Sequence, residues 1–198
     1  FGISEIELRA AINPVEVAAG LEHRMIFGAY PEVITTEDLT EKRRIVQSIA
    51  ESYTFKDVLT FTGLKNTEFV RNLLKLLAFR VGSEVSLREL GEALSADGKT
   101  VQRYLDLLTQ TFVIYPLAPW FGAERFQQRK SVTRFKKFYF YDLGVRNAMI
   151  NNFNPLALRD DTGALWENYL LNERIKANQA HGRNASLSFW RTREGVEV

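Results

Sequence analysis

The stretch SLRELGEALSADGKTVQRYLDLLTQTFVIYPLAPW, from Ser86 to Trp120, decides the fold. Its first part predicts a helix over Leu87 to Leu94. Ser86 is a good N-cap, and Glu89 three residues later completes a capping box. Leu87, Leu90 and Leu94 share one face. Ser95-Ala96-Asp97-Gly98 reads as a turn, in which Asp97 caps a second helix and Gly98 relieves the tight backbone. Val101, Leu105, Leu108 and Phe112 then form an apolar stripe at helical spacing. Leu90, Leu94, Leu105 and Leu108 are expected to be buried, and Lys99, Thr100, Gln102, Arg103 and Asp106 to face outward. Phe112 to Tyr115 is rich in strand formers, and Pro116 and Pro119 interrupt it. Helix, turn, helix and strand in this order make a helix-turn-helix with a wing.

The same stretch holds a decoy. Ala93 to Thr100, A-L-S-A-D-G-K-T, matches a loose phosphate-loop pattern. A phosphate loop needs a buried strand before a glycine-rich turn whose N–H groups wrap the phosphate. Here an amphipathic helix precedes the turn, and Ala93 stands where the first glycine belongs. ATP binding at Lys99 is not expected.

Composition narrows the classes. The chain has 198 residues, 45% of them hydrophobic, enough for one or two domains with real cores. It has no cysteine, which excludes disulfides and thiolate metal sites. His23 and His181 lie too far apart to suggest a ligand cluster. No apolar run reaches the roughly 18 residues of a membrane span, and no signal peptide is visible, so a cytoplasmic location is the default. The formal net charge is +2. Its distribution is uneven: Arg125, Arg129, Lys130, Arg134, Lys136 and Lys137 crowd the segment from Gly122 to Tyr141, against Glu124 alone. Such a block can contact phosphates, or it is a solvated face.

Before the central stretch the pattern is helical throughout. Ser4 caps a short helix, Asn13-Pro14 opens another that Gly28 ends, and Ala29 to Glu32 reads as a loop. A long amphipathic helix is expected from Thr36 to about Leu59. Asn66 or Thr67 caps an apolar helix containing Phe69, Val70, Leu73, Leu74, Leu77 and Val81, nearly apolar all round. After the central stretch, Phe135 to Tyr141 reads as an aromatic strand, and Asp142-Leu143-Gly144 leads into a helix to about Ile150. Gly163 to Gln179 is expected to be an amphipathic helix packing Leu165, Tyr169 and Leu170 on a sheet. Ser188 to Arg191 and Val196 to Val198 suggest a hairpin around Glu194-Gly195.

Five segments carry a family resemblance: Gly28-Ala29-Tyr30-Pro31-Glu32, Lys99 to Leu105, Phe138 to Gly144, Gly163 to Asn168, and Phe189-Trp190-Arg191 with Glu197-Val198. In this order they resemble the C-terminal region, a domain of unknown function, of prokaryotic AAA-superfamily ATPases. The resemblance implies an α+β chain in three parts: a helical linker (1–65) behind an ATPase core that lies outside this sequence, a winged helix-turn-helix (66–122), and a truncated α/β domain (123–198) similar to PD-(D/E)XK nucleases. ATP and magnesium would belong only to that core. Glu167 matches the helix acid of the nuclease pattern, while the Asp and Glu-x-Lys strands would lie beyond Val198. No catalytic residue and no metal site is therefore expected here, and neither DNA nor RNA should be cleaved.

Two functions stay open. In one, Lys99, Thr100, Gln102 and Arg103 enter the major groove of double-stranded DNA while Lys136 and Lys137 hold phosphates. In the other, the region is a protein-interaction module that docks on its own ATPase core or on further copies of itself, without nucleic acid. Asp142 reads as a site carboxylate or, more simply, an N-cap. Trp120, Trp166 and Trp190 read as core or interface anchors.

Overall fold

Side-chain caps set where the helices start. Asp38 accepts from the Glu41 N–H at 2.7 Å, Asn66 from Phe69 at 3.0 Å, and Asp97 from Lys99 and Thr100 at 2.8 and 2.9 Å. The capping box is complete: Ser86 Oγ accepts from the Glu89 N–H, and Glu89 Oε2 from the Ser86 N–H. Each cap satisfies N–H groups that a helix start leaves without partners. The computed structural model describes residues 14–52, 66–120, 135–183 and 185–190. The helix expected at Ser4, the basic residues 125–134 and the strand at 196–198 lie outside them.

The helices are α1 (Pro14–Phe27), α2 (Pro31–Thr35), α3 (Leu39–Glu51), α4 (Thr67–Phe79), α5 (Leu87–Leu94), α6 (Gly98–Gln110), α7 (Leu143–Met149) and α8 (Thr162–Ala180). The strands are β1 (Glu84–Ser86), β2 (Ile114–Pro119), β3 (Phe135–Phe140) and β4 (Ser188–Phe189), in the sheet order β1-β3-β2-β4. This is an α+β fold. β3 pairs antiparallel with both β1 and β2, and β4 joins β2 in parallel. β3, which the reading by segments puts with the C-terminal part, is thus an inner strand of the sheet that also holds β1 and β2.

Several local expectations change. The cap of α3 is Asp38 rather than Thr36, and a short helix over residues 31–35 takes in Pro31 and Glu32, which were expected in a loop. α4 is not apolar all round: Val70, Leu73, Leu74, Leu77 and Ala78 are buried, while Glu68, Arg71, Asn72 and Lys75 are exposed. Val101, Leu105 and Leu108 are buried as the stripe requires, with Leu90, but Leu94 is only half-buried. Phe112 leaves the stripe altogether. The helix ends at Gln110, and Phe112 sits in the left-handed region at φ 56° with 66% of its surface exposed.

Pro116 and Pro119 do not break β2. The Tyr141 N–H donates to Val113 O, so alternation turns the Pro116 nitrogen away from β3. On that outer side β4 begins pairing only at Ala118, so no ladder bond is lost.

The main core gathers α4, α5, α6 and the sheet around Leu73, Leu74, Leu77, Leu90, Leu105, Leu108, Ile114 and Phe140. A second cluster joins Ile26, Phe27, Val33, Ile45, Val46 and Phe153, and a third joins Met25, Leu143 and Leu165. Short α7 lies against α1, α3, α4 and α8 and links these cores.

Candidate functional site

Lys99, Thr100, Gln102 and Arg103 lie in the first half of α6, and all but Thr100 line a groove of about 1000 Å³ with Leu87, Asp97, Asp106, Leu107 and Gln110. Lys99 and Arg103 are exposed and have no ion pair among the described residues. Thr100 is committed elsewhere: its hydroxyl donates to Asp97 Oδ2 at 2.7 Å. The Thr100 N–H and hydroxyl, opposed by a small burial effect, hold the Asp97 carboxyl below its ordinary range. Gln102 donates to Asp106 Oδ1 at 2.6 Å. Among the described residues the free cations of this face are therefore Lys99 and Arg103, and two carboxylates, Asp97 and Asp106, share the groove with them. The phosphate-loop look-alike begins in the last turn of α5 and ends in the first turn of α6, with Ser95 at φ 52° between them.

Lys136 and Lys137 separate. Lys136 is partly exposed on β3. Lys137, its neighbour, has a side chain only 5% exposed and an Nζ 3.6 Å from Glu167 Oε1 and 5.2 Å from the centre of the Phe189 ring. Glu167 also accepts from the Tyr139 hydroxyl at 2.8 Å. The fold thus brings together a lysine and an acid that the sequence assigns to different roles. The pairing binds α8 to β3, and it removes Lys137 from the phosphate-contacting surface. Among the described residues no group of three or more His, Asp or Glu is placed to hold a metal.

Asp142 is an N-cap with a second duty. Its Oδ1 accepts from the Val145 N–H at 3.0 Å and its Oδ2 from the Ala29 N–H at 2.8 Å, 113 residues away in sequence. Burial pushes this carboxyl up, against the pull of the Ala29, Val145 and Gly144 N–H groups. Two glycines make the approach possible. A Cβ on Gly28, at φ +85°, would stand 2.1 Å from Asp142 Oδ1, and one on Gly144 would stand 2.0 Å from Phe27 O. The G-A-Y-P and D-L-G segments are thus two halves of one joint.

Beside that joint lies a buried polar knot that the sequence does not announce. Arg146, 1% exposed, donates from Nε to Ala78 O at 2.8 Å and from Nη1 to Asn147 Oδ1 and Asp161 Oδ2. Arg159 clamps the same carboxylate through Nε at 2.7 Å and Nη2 at 2.8 Å. Asn147 turns its amide to Met25 O and Ile26 O. Burial would raise the Asp161 carboxyl, but the hydrogen bonds and charges of the two arginines outweigh it and hold it at about 2.

Residues 18–156 match the model of a domain of unknown function, DUF8612. The chain belongs to the DUF8612 family. The matched span includes the joint, Arg146, Asn147, α6 and all of β3, and stops before Asp161 and α8. Uncharacterized proteins of Mycobacterium bovis and Mycobacterium tuberculosis are each 33% identical to it over 131 residues, 65% of this chain and 28% of theirs. An uncharacterized protein of Methanocaldococcus jannaschii is 20% identical over 194 residues, 96% of this chain and 40% of its own. The chain thus spans under a third of the mycobacterial relatives it matches. No solved structure matches it significantly.

The sequence also misses how this DUF8612 chain seats α8. Buried positions of that helix are Leu165, Asn168, Asn172 and Asn178, so it is not the apolar-faced helix expected. Leu165 packs with Met25 and Leu143 rather than on the sheet, and Leu170 is exposed. The Asn168 amide donates to Phe140 O at 2.9 Å and accepts from the Phe140 N–H at 3.0 Å. It replaces a strand on the side of β3 where β1 has ended. Asn172 donates to Phe140 O and Tyr141 O and accepts from the Tyr115 hydroxyl. The available signal is two asparagines four apart in mid-helix, where asparagine is a poor former and must be compensated.

Proposed function

We propose that α4, β1, α5, α6 and the β2–β3 hairpin form a winged helix that lays the first half of α6 on double-stranded DNA, within the C-terminal region of an AAA-superfamily ATPase. The observation that carries the reading is the pair of unpaired, exposed cations Lys99 and Arg103 at the N-terminal end of α6, where a recognition helix meets the groove. Composition supports it: residues 125–134, between β2 and β3 in sequence, include four basic residues, and Lys136 follows on β3. The ATPase parentage rests on the family resemblance. ATP and magnesium belong to that core, and the nuclease-like character of the C-terminal part rests on the resemblance too.

Duplex binding followed by anisotropy at increasing salt tests this. Affinity should fall steeply as counterions are released. Arg103→Ala should change sequence preference, while Lys136→Ala should weaken all sequences alike and lower the salt slope by about one. Equal binding by wild type and both variants would defeat the proposal.

One observation favours the second reading, a protein-interaction module. Phe69, Leu76, Phe79 and Leu94 line an apolar groove of about 390 Å³ between α4 and α5, and Phe79 is 64% exposed. Concentration-dependent self-association that Phe79→Glu removes, together with no duplex binding, would put that reading ahead.

A further inference from the structure

Both carboxylates of the α6 groove are engaged by their own helix. Asp97 accepts from the Lys99 and Thr100 N–H groups and from the Thr100 hydroxyl. Asp106 accepts from Gln102 Nε2 at 2.6 Å, four residues back along the helix. A contact at this spacing is ordinary on a helix surface; its place is not. Gln102 is half-buried, with exposed Lys99 one turn before it and exposed Arg103 next to it, and all four side chains line the same groove. The bond also fixes an orientation. A carboxylate only accepts, so the Gln102 amide must turn its nitrogen to Asp106 and cannot flip. Its Oε1 and its second N–H make no hydrogen bond among the described residues. One acceptor and one donor are thus held ready side by side.

We propose that Gln102 reads an adenine in the major groove and that Asp106 is the residue that positions it. The inference rests on the reading of α6 as the helix that meets duplex DNA. In the major groove adenine alone among the bases presents an acceptor, N7, beside a donor, the N6 amino group. A glutamine amide pairs with both: Oε1 accepts from N6–H, and the N–H beside it donates to N7. Asp106 takes the other N–H, so its bond outlasts the contact with the base. The amide is set before DNA arrives, and less freedom is lost on binding. This gives a task to an acid on a face that meets DNA. Its charge repels phosphates and weakens binding to every sequence alike, while the amide it holds favours one base. The Gln102–Asp106 pair trades affinity for discrimination.

The test uses the full chain to select duplexes from a randomised pool, and then follows binding of the selected duplex by anisotropy. The wild type should enrich an adenine that the Gln102→Ala pool lacks. Exchanging that A·T pair for G·C should weaken wild-type binding at least about fivefold, the low end of what a bidentate base contact contributes. Replacing the adenine by 7-deazaadenine, which lacks only the N7 acceptor, should give part of that loss. Neither change should affect Gln102→Ala. Asp106→Ala should bind the selected duplex at least as tightly as wild type, yet discriminate the two base pairs less. A merely structural role for Asp106 would not separate affinity from discrimination in this way. The base analogue probes the wild type itself, so its result does not depend on how a variant folds. The proposal falls if no enriched adenine depends on Gln102, if 7-deazaadenine serves the wild type as well as adenine, or if Asp106→Ala keeps full discrimination. Any of these alongside salt-sensitive duplex binding would sink this inference and leave the α6 reading standing. A wild type that binds no duplex would sink both.

Discussion

Asn168→Ala tests how α8 is held. In the native chain Asn168 satisfies both main-chain groups of Phe140. Phe140 O keeps a second donor, Asn172 Nδ2 at 3.0 Å, so truncation orphans chiefly the Phe140 N–H. A buried N–H without a partner costs about 1–3 kcal/mol, and the lost bond to the carbonyl adds about 0.5–1. Alanine is the better helix former, which returns roughly 0.5 kcal/mol. The net expectation is a loss of about 2 kcal/mol. Adding Asn172→Ala removes the remaining donor to Phe140 O, so the double variant should lose more than the sum of the singles, by about 1 kcal/mol. Urea unfolding of the four proteins, followed by far-UV circular dichroism, gives the cycle. An Asn168→Ala midpoint equal to that of wild type, or strict additivity, would mean that α8 is held by its apolar contacts and that the amide ladder contributes nothing.

Three further outcomes are expected. Asp161, held at about 2 against an ordinary 3.8, lends stability that is full above pH 4 and fades as the pH falls toward 2. That gap is worth about 2 kcal/mol, so acid melting should lose this slope in Asp161→Asn. Gly28→Ala needs φ +85° from an L residue and drives its Cβ into Asp142, so the melting temperature should drop by at least several degrees; an unchanged value would refute the joint. Leu105→Ala empties a buried site on α6 and should cost about 2–5 kcal/mol in urea unfolding.

What the sequence made legible was local. The Ser86–Glu89 box, the Asp97 cap and the Val101, Leu105, Leu108 stripe are short-range features, and each is present. The α6 half of the candidate site could be placed for the same reason, because helical periodicity says which side chains face out. Partners across long distances could not be read. Lys137 looked like one more surface cation because its companion, Glu167, is thirty residues away on another element. Phe112 fitted the stripe by spacing, and only the termination of α6 two residues earlier removes it. α8 was misread because its buried face is built of asparagines, which an apolar-periodicity rule counts as solvent-facing.

The joint between Gly28–Ala29 and Asp142–Gly144 sets an order of events during synthesis. α1 leaves the ribosome before α7, and the carboxylate that fixes the turn after it lies 113 residues further on. At about 5–20 residues per second, that partner arrives roughly six to twenty-three seconds later. Until then Met25, Ile26 and Phe27, all buried in the finished protein, have neither α7 nor Leu165 to cover them. α1 is made well before the elements that fix it, so its apolar face stays open to a chaperone for that interval.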